Sequence, residues 1–166
     1  MTDETSAAKT NGNGNGAATR QFLLQQLFIK DLSFEAPHAP EILLEAAGEP
    51  EVKLNLRHAI RQLEAGAFEV VLHVSVHAQL KDKTVFLVEL DQAGLFMIQG
   101  YPEEEQRKLL GIYCPSTLFP YAREVISSTV AKGGFAPLVL QPINFEALYA
   151  KAAARQAGKD AVETDA

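Results

Sequence analysis

An alternation of apolar and polar side chains over residues 67–80 limits the possible folds of this chain more than any other feature of its sequence. Successive side chains of a β-strand point to opposite faces of a sheet, so every second residue of such a segment faces the same side. The apolar set is Phe68, Val70, Leu72, Val74, Val76, Ala78 and Leu80. The opposite set is Glu69, His73, Ser75, His77 and Gln79, with Val71 as the exception. The segment is therefore predicted to be a strand that buries one face.

Further strands are predicted on both sides of this segment. They cover residues 22–35, 51–57, 84–90 and 94–99. The links at 81–83 and 91–93 are short and polar, which predicts that the strands they join are antiparallel neighbours in a meander. Helical patterns follow over residues 103–110, 117–132 and 145–157. Strands followed by helices are typical of the α+β class, here with C-terminal helices backing an antiparallel sheet.

The middle helical pattern has recognisable end signals. Its apolar face comprises Leu118, Ala122, Val125, Ile126, Thr129 and Val130. Thr117 is the predicted N-cap, which places Pro120 in the first turn, where its missing N–H costs no hydrogen bond. Gly133 and Gly134 are the predicted stop. Asn144 is predicted to cap the last helix.

Polar segments at both ends are predicted to be disordered tails. Residues 1–20 include repeated Asn-Gly pairs, which form hairpin turns only between apolar strands, and no apolar segments flank them. Residues 158–166 are also polar. The folding unit is therefore predicted to be one domain spanning residues 21–157, a length that can bury a substantial core.

Composition limits the cellular compartments and the kinds of partner that are expected for this protein. The formal net charge of −6 disfavours binding to nucleic acid and anionic membranes, and it favours basic protein partners. Cys114 is the single cysteine, so an intrachain disulfide is impossible and a reducing compartment is expected. No apolar run approaches the roughly 20 residues of a membrane span, and the polar, acidic first residues do not form a signal peptide. We therefore expect a cytoplasmic protein without direct membrane insertion.

The sequence offers no recognisable catalytic, metal or cofactor site. His73 and His77 share a strand face but lie roughly 13 Å apart, too far to bind one metal ion, and they are predicted to be solvated. Cys114 precedes a proline and is predicted to be a packing residue. Phosphate-binding GxxxxGK[ST] and GxGxxG patterns do not occur. We therefore expect no enzyme activity and no cofactor, and a protein that works through its surface.

Two strand segments are apolar on both faces, at residues 85–90 and 95–98. A sheet that helices cover on one side only should leave its other face polar. Two explanations remain open at this point. Either another subunit or an apolar partner covers the second face, or helices of the same chain cover both sides.

Several motifs together resemble the SecB family of protein-export chaperones. The longest are Tyr113-Cys114-Pro115, Leu118-Phe119-Pro120-Tyr121-Ala122-Arg123-Glu124 and Pro142-Ile143-Asn144-Phe145-Glu146-Ala147-Leu148. Earlier in the chain are Lys30-Asp31-Leu32-Ser33-Phe34-Glu35-Ala36-Pro37, Pro50-Glu51-Val52-Lys53-Leu54 and Phe68-Glu69-Val70-Val71-Leu72. The resemblance extends from about residue 22 to 150, which is nearly the whole predicted domain.

This resemblance implies a fold, an assembly and a function. SecB-like proteins have a four-stranded antiparallel sheet backed by helices, and they form cytoplasmic homotetramers built as dimers of dimers. They bind unfolded precursor proteins without nucleotide, keep them competent for translocation and deliver them to the SecA motor ATPase. The resemblance therefore implies a molecular chaperone of protein export.

The resemblance also implies two sites. The SecA-docking residues map to Asp31, Glu35, Leu87 and Glu89. Alternate positions on a strand place Asp31 with Glu35, and Leu87 with Glu89, on shared faces. The client-binding groove maps to Tyr113, Leu118, Phe119, Tyr121, Phe135, Phe145, Leu148 and Tyr149.

Two alternative functions remain open. A SecB-like chaperone dedicated to a single client, such as an antitoxin, would share these sequence features. A small apolar-ligand carrier or a hot-dog-like enzyme would also combine a sheet with a helix. Such an enzyme usually has a catalytic acid or histidine at the start of its helix, where this chain has Leu118-Phe119-Pro120.

Overall fold

The computed structural model describes residues 18–45 and 48–164, and for residues 160–164 it describes the backbone alone. Residues 1–17 of the predicted N-terminal tail and residues 165–166 of the predicted C-terminal tail lie outside this part. Residues 18–20 are exposed and have no regular secondary structure. The domain that follows consists of one sheet and one layer of helices.

The regular elements follow the predicted order, strands first and helices after, except for one short helix between the first two strands, which was not predicted. The strands are β1 (Gln21–Glu35), β2 (Glu51–Glu64), β3 (Ala67–Leu80) and β4 (Lys83–Gln99). The helices are α1 (Glu41–Leu44), α2 (Glu103–Lys108), α3 (Cys114–Lys132) and α4 (Phe145–Thr164). A π-helical turn, Leu109–Tyr113, joins α2 to α3. The α+β class is thereby confirmed.

The sheet is fully antiparallel, with the strand order β1-β4-β3-β2. The consecutive strands β2, β3 and β4 form the predicted meander. β1 does not continue it, because it crosses over and pairs with β4 on the far side. Short links fix antiparallel neighbours, whereas the long connection over residues 36–50 leaves the choice of partner open. The predicted meander is therefore correct for β2, β3 and β4, and it was wrong to extend it to β1.

β4 is one strand where two were predicted. The polar residues Asp91 and Gln92 suggested a turn, but both lie within the strand and have partners there. Asp91 is hydrogen-bonded to His73 of β3, and Gln92, which is buried, donates from Nε2 to the carbonyl oxygen of Phe28 at 3.0 Å. The apolar segments at 85–90 and 95–98 are thus two halves of the long strand that lies between β1 and β3.

The alternation in β3 is confirmed by its burial. Val70, Leu72, Val74, Val76 and Ala78 are fully buried on the face that carries the helices. Helix α3 packs mainly on β3 and β4 and contributes Leu118, Ala122, Ile126 and Val130 to this core. The opposite face of the sheet has no helix against it among the described residues, and we call it the open face.

Helix α3 begins before its predicted cap. The hydroxyl of Thr117 donates to the carbonyl oxygen of Tyr113 at 2.7 Å, one turn earlier, so Thr117 lies within the helix and is not its N-cap. The preceding π-helical turn makes α2 and α3 continuous, and Pro120 is therefore inside the helix. The predicted stop is confirmed, since Gly133 closes the helix and Gly134 has a φ of 88°.

The last helix has the predicted cap but a different end. The backbone N–H of Ala147 donates to Oδ1 of Asn144 at 3.0 Å, which is the geometry of an N-cap. α4 then continues to Thr164, past the predicted end at residue 157. The polar residues from 158 onwards are therefore helical up to Thr164.

Candidate functional site

The pairing of β1 with β4 brings the four predicted docking residues together on the open face. Glu35 lies opposite Leu87, and Glu89 lies between Ser33 of β1 and Ser75 of β3. Asp31 is two positions from Ser33 and shares its side. Val88 and Leu90, which alternate with the docking residues, are fully buried on the helical side. We call Asp31, Glu35, Leu87 and Glu89 the acidic face.

The carboxylates of the acidic face are available to a partner. Asp31, Glu35 and Glu89 are exposed, and none has a hydrogen bond or ion pair with another residue of the described chain. Leu87 is half-buried among them and adds an apolar contact. A patch of unpaired carboxylates on a flat sheet is complementary to a basic surface.

A polar network on the same open face was not predicted. Glu69 is buried and accepts from Nζ of Lys30 at 2.7 Å and from Nη2 of Arg61 at 3.3 Å. The hydrogen bond from Lys30 is the main cause that holds the pKa of Glu69 below its ordinary value, against the effect of burial. A sequence pattern cannot reveal this network, because the three residues lie on three different strands.

The two histidines of β3 are not free on a solvated face, so that prediction was wrong. Nδ1 of His73 donates to the carboxylate of Asp91, and His77 is hydrogen-bonded to Thr84 at 2.9 Å. Both histidines are half-buried. Within residues 18–45 and 48–164, no three His, Cys, Asp or Glu side chains form a group that could hold a metal ion.

The helical side of the sheet carries a groove beside β2. Three apolar residues of β2 pair with buried residues of β3 and therefore point to this side, namely Val52, Leu54 and Ile60. All three are nevertheless exposed, because the helices leave β2 partly uncovered. A cavity of about 290 Å³ opens between β2 and α4. It is lined by Leu56, Arg57, His58, Leu72, Gly111, Phe145, Leu148, Tyr149 and Ala152. A neighbouring cavity shares Leu56 and Leu148 and adds Leu54 and Ile143, and together we call them the apolar groove.

The eight predicted groove residues occupy three different environments in the structure. Phe145, Leu148 and Tyr149 line the apolar groove. Leu118 and Phe119 are buried in the core, where Phe119 packs edge-on against Phe145 at 5.8 Å between ring centroids. The remaining three residues do not line the apolar groove. Phe135 packs against Phe34 and Phe86, and Tyr113 and Tyr121 are exposed on the helical layer.

Sequence reasoning missed the part of the groove that β2 contributes. Leu54 and Leu56 belong to the strand predicted over residues 51–57, but the sequence of that strand alone does not show that its apolar side is uncovered. That depends on β2 being an edge strand and on α3 packing over β3 and β4. The topology of the sheet is therefore what creates the groove.

Helix α4 is positioned by a close contact between Gly111 and Tyr149. A β-carbon added to Gly111 would lie 2.6 Å from the ring of Tyr149, closer than non-bonded carbon atoms can approach. The π-helical turn thus presents bare backbone to the aromatic ring. Tyr149 and Phe145 together hold α4 along one wall of the apolar groove.

Two titratable groups on the helical side have shifted pKa values. Partial desolvation at the apolar groove lowers the pKa of His58 and so favours its neutral form, although the residue as a whole is exposed. Burial also raises the pKa of the Cys114 thiol to about 12. Cys114 is fully buried and protonated at neutral pH, which confirms that it is a packing residue.

A sheet with a charged open face and an apolar groove on the other side is the geometry of a protein that binds other macromolecules. No helix of the described chain is long and apolar enough to cross a membrane. The exposed carboxylates and the open apolar groove are the features of a binding protein that acts through surface contacts.

Comparison with known proteins identifies the family within this class. A family model described as preprotein translocase subunit SecB matches residues 15–156. The protein-export protein SecB of Methylococcus capsulatus is 51% identical over 135 residues, which are 81% of this chain and 86% of that protein. SecB of Dechloromonas aromatica is 49% identical over 140 residues, covering 84% of this chain and 91% of the relative. The chain belongs to the SecB family.

A solved structure supports the fold assignment. A SecB-like chaperone from Mycobacterium tuberculosis, in complex with a ChAD peptide from an antitoxin, superposes with a TM-score of 0.62 at 20% identity. The superposition covers 74% of this chain and 90% of the other. The family model and the protein-export relatives confirm the resemblance seen in the sequence motifs. Members of the SecB family are chaperones, so the expectation that this protein is not an enzyme is also confirmed.

The contact between Gly111 and Tyr149 predicts the effect of a single methyl group. In Gly111→Ala the ring of Tyr149 must move, which should destabilise the docking of α4 by about 1–3 kcal/mol. Hydrogen exchange should accelerate in α4 and stay unchanged in β3 and β4. Gly158→Ala is the matched control, because a methyl group there meets no atom within 4 Å. Unchanged exchange of α4 in Gly111→Ala would show that this contact does not hold the helix.

The lowered pKa of His58 predicts a pH dependence of stability. Because its pKa is lowered in the folded state, the unfolded chain binds more protons as the pH falls through about 6.5, and stability should decrease over that range. His58→Gln should therefore lose less stability than the wild type between about pH 7.5 and about pH 5.5. Denaturant midpoints at one protein concentration measure this, and His38→Gln, which changes a histidine outside the apolar groove, is the control. Equal pH dependence of His58→Gln and the wild type would contradict the prediction.

Proposed function

We propose that this protein binds unfolded precursor proteins without nucleotide, keeps them competent for translocation and delivers them to the SecA motor for export. The observation that carries the proposal is its membership of the SecB family, with about half of the aligned residues identical to those of protein-export proteins. The two separate surfaces on opposite sides of the sheet fit a protein that must hold one partner while it meets another.

Clients bind, in this proposal, in the apolar groove. Unfolded precursors differ in sequence, so their binding site must accept many apolar side chains without demanding one shape. Leu54, Leu56, Leu148 and Tyr149 offer such a surface beside the edge strand β2. Leu118, Phe119 and Phe145 support the groove from within the core. Tyr113, Tyr121 and Phe135 lie on the helical layer and would extend client contact beyond the groove.

SecA docks, in this proposal, on the acidic face. Asp31, Glu35 and Glu89 are exposed and unpaired with other described residues, and Leu87 lies among them. An acidic surface attracts a basic partner over distance and fixes its orientation on contact. Because the sheet separates this face from the apolar groove, SecA can approach while a client is bound.

We further propose that the protein is a cytoplasmic homotetramer built as a dimer of dimers. The outer strand β1 has several exposed apolar side chains, namely Phe22, Leu23, Ile29 and Leu32. A single chain does not cover them, and contacts between copies would. Four chains of 18.1 kDa give a mass of about 72 kDa.

Neither alternative function gains support. The relatives that match most of the chain are named as protein-export proteins, which favours general export over a single dedicated client. A carrier of small apolar ligands would need an enclosed cavity, whereas the apolar groove is open along β2.

Charge reversal on the acidic face tests the docking proposal. Asp31→Lys and Glu89→Lys should each weaken SecA binding by about tenfold at low ionic strength and leave the capture of unfolded precursor unchanged. Leu148→Ser should do the reverse, because it removes apolar surface from the groove. Calorimetry with SecA and light scattering with an unfolded precursor measure the two affinities.

The control is Glu124→Lys, which reverses an exposed charge on α3, away from both surfaces. Light scattering of each variant alone establishes that its oligomeric state is unchanged. If Asp31→Lys and Glu89→Lys bind SecA as tightly as the wild type, the acidic face is not the docking site. If they lose SecA and precursor together at unchanged mass, the two surfaces are not separate.

A further inference from the structure

Two rows of residues on the open face each separate charges of opposite sign across the sheet. The pairing registers align Asp31, Asp91, His73 and Arg57 across β1, β4, β3 and β2. A second row aligns Glu35, Leu87, His77 and Lys53 in the same strand order. Each row begins with a carboxylate on the outer strand β1 and ends with a cation on the other outer strand, β2.

The two cations at the β2 end are available to a partner. Lys53 and Arg57 are exposed, and neither has a hydrogen bond or ion pair with another residue that the structure describes. Arg61, the next cation on this side of β2, is by contrast held by Glu69. Lys53 and Arg57 therefore resemble the carboxylates of the acidic face in being unpaired, but with the opposite charge.

Within these two rows, strand β3 keeps the two signs apart. It lies between β4 and β2 and contributes His73 and His77 to the rows. His73 is hydrogen-bonded to the carboxylate of Asp91, which lies in the same row as Arg57, and His77 is hydrogen-bonded to Thr84. Because neighbouring strands lie about 4.8 Å apart, roughly 10 Å separates the backbone of β4 from that of β2.

We propose that Lys53 and Arg57 form the second half of the docking surface and bind an acidic segment of the partner that docks on the acidic face. This inference rests on the function proposed above. A partner with basic residues alone would place like charges against Lys53 and Arg57 if it covered the whole face, at a cost in affinity. The complementary partner presents basic groups over β1 and β4 and carboxylates about 10–15 Å away over β2. Such a pattern fixes the orientation of the partner on the sheet.

Neutralising the two cations tests this inference. The double variant Lys53→Gln/Arg57→Gln should bind SecA about three- to tenfold more weakly at low ionic strength, with a smaller difference at high salt. The charge-preserving variant Lys53→Arg/Arg57→Lys should bind within about twofold of the wild type. The matched control is Lys151→Gln/Arg155→Gln, which removes the same charge from exposed positions on α4. Calorimetry measures the affinities, and light scattering establishes that the mass of each variant is unchanged.

Two results would overturn the inference while leaving the proposed function intact. In the first, Asp31→Lys weakens SecA binding but neutralisation of Lys53 and Arg57 leaves it unchanged or strengthens it, so the cations oppose the partner or do not meet it. In the second, neutralisation reduces the capture of unfolded precursor and not SecA binding, so the cations serve clients. Failure of the proposed function itself would be seen separately, as SecA binding that Asp31→Lys does not change.

Discussion

The antiparallel pairing of β1 with β4 is the constraint on which both surfaces depend. It places Glu35 opposite Leu87 and sets Asp31 on the same side as Glu89. Because side chains alternate along a strand, a shift of one residue would turn the carboxylates of β1 towards the core and its apolar residues towards solvent. The burial of Val88 and Leu90 against the helices places the alternate residues of β4, Leu87 and Glu89, on the open face.

The same sheet creates a different environment on its other side. Helix α3 covers the inner strands β3 and β4, and β2 at the edge keeps part of its apolar side exposed. Helix α4 borders this uncovered strip, held by Tyr149 against the bare backbone of Gly111. A chaperone needs apolar surface that stays exposed without collapsing into its own core. An edge strand under a partial helical layer supplies that surface, while the packed inner strands supply the stability.

Much of the fold could be predicted from the sequence, because local patterns determine it. The alternation in β3, the Asn144 cap and the Gly133-Gly134 stop each depend on neighbours in the chain, and all three were correct. The errors concern partners that are distant in sequence. Asp91 and Gln92 suggested a turn because their neighbours in the sequence do not reveal their hydrogen-bond partners. Those partners, His73 and Phe28, lie on other strands. The crossing of β1 has no local signal either. Of the two candidate sites, the resemblance indicated the residues of the acidic face. The contribution of β2 to the apolar groove could not be predicted without knowing the topology of the sheet.

The central claim is that one sheet keeps two binding surfaces apart, so that client and motor bind at the same time. Light scattering on a mixture of this protein, a labelled unfolded precursor and SecA, without nucleotide, tests this claim most directly. We expect a single complex that contains all three, because SecA approaches the acidic face while the precursor occupies the apolar groove. Release of the precursor when SecA binds, or failure of the loaded protein to bind SecA, would contradict the account.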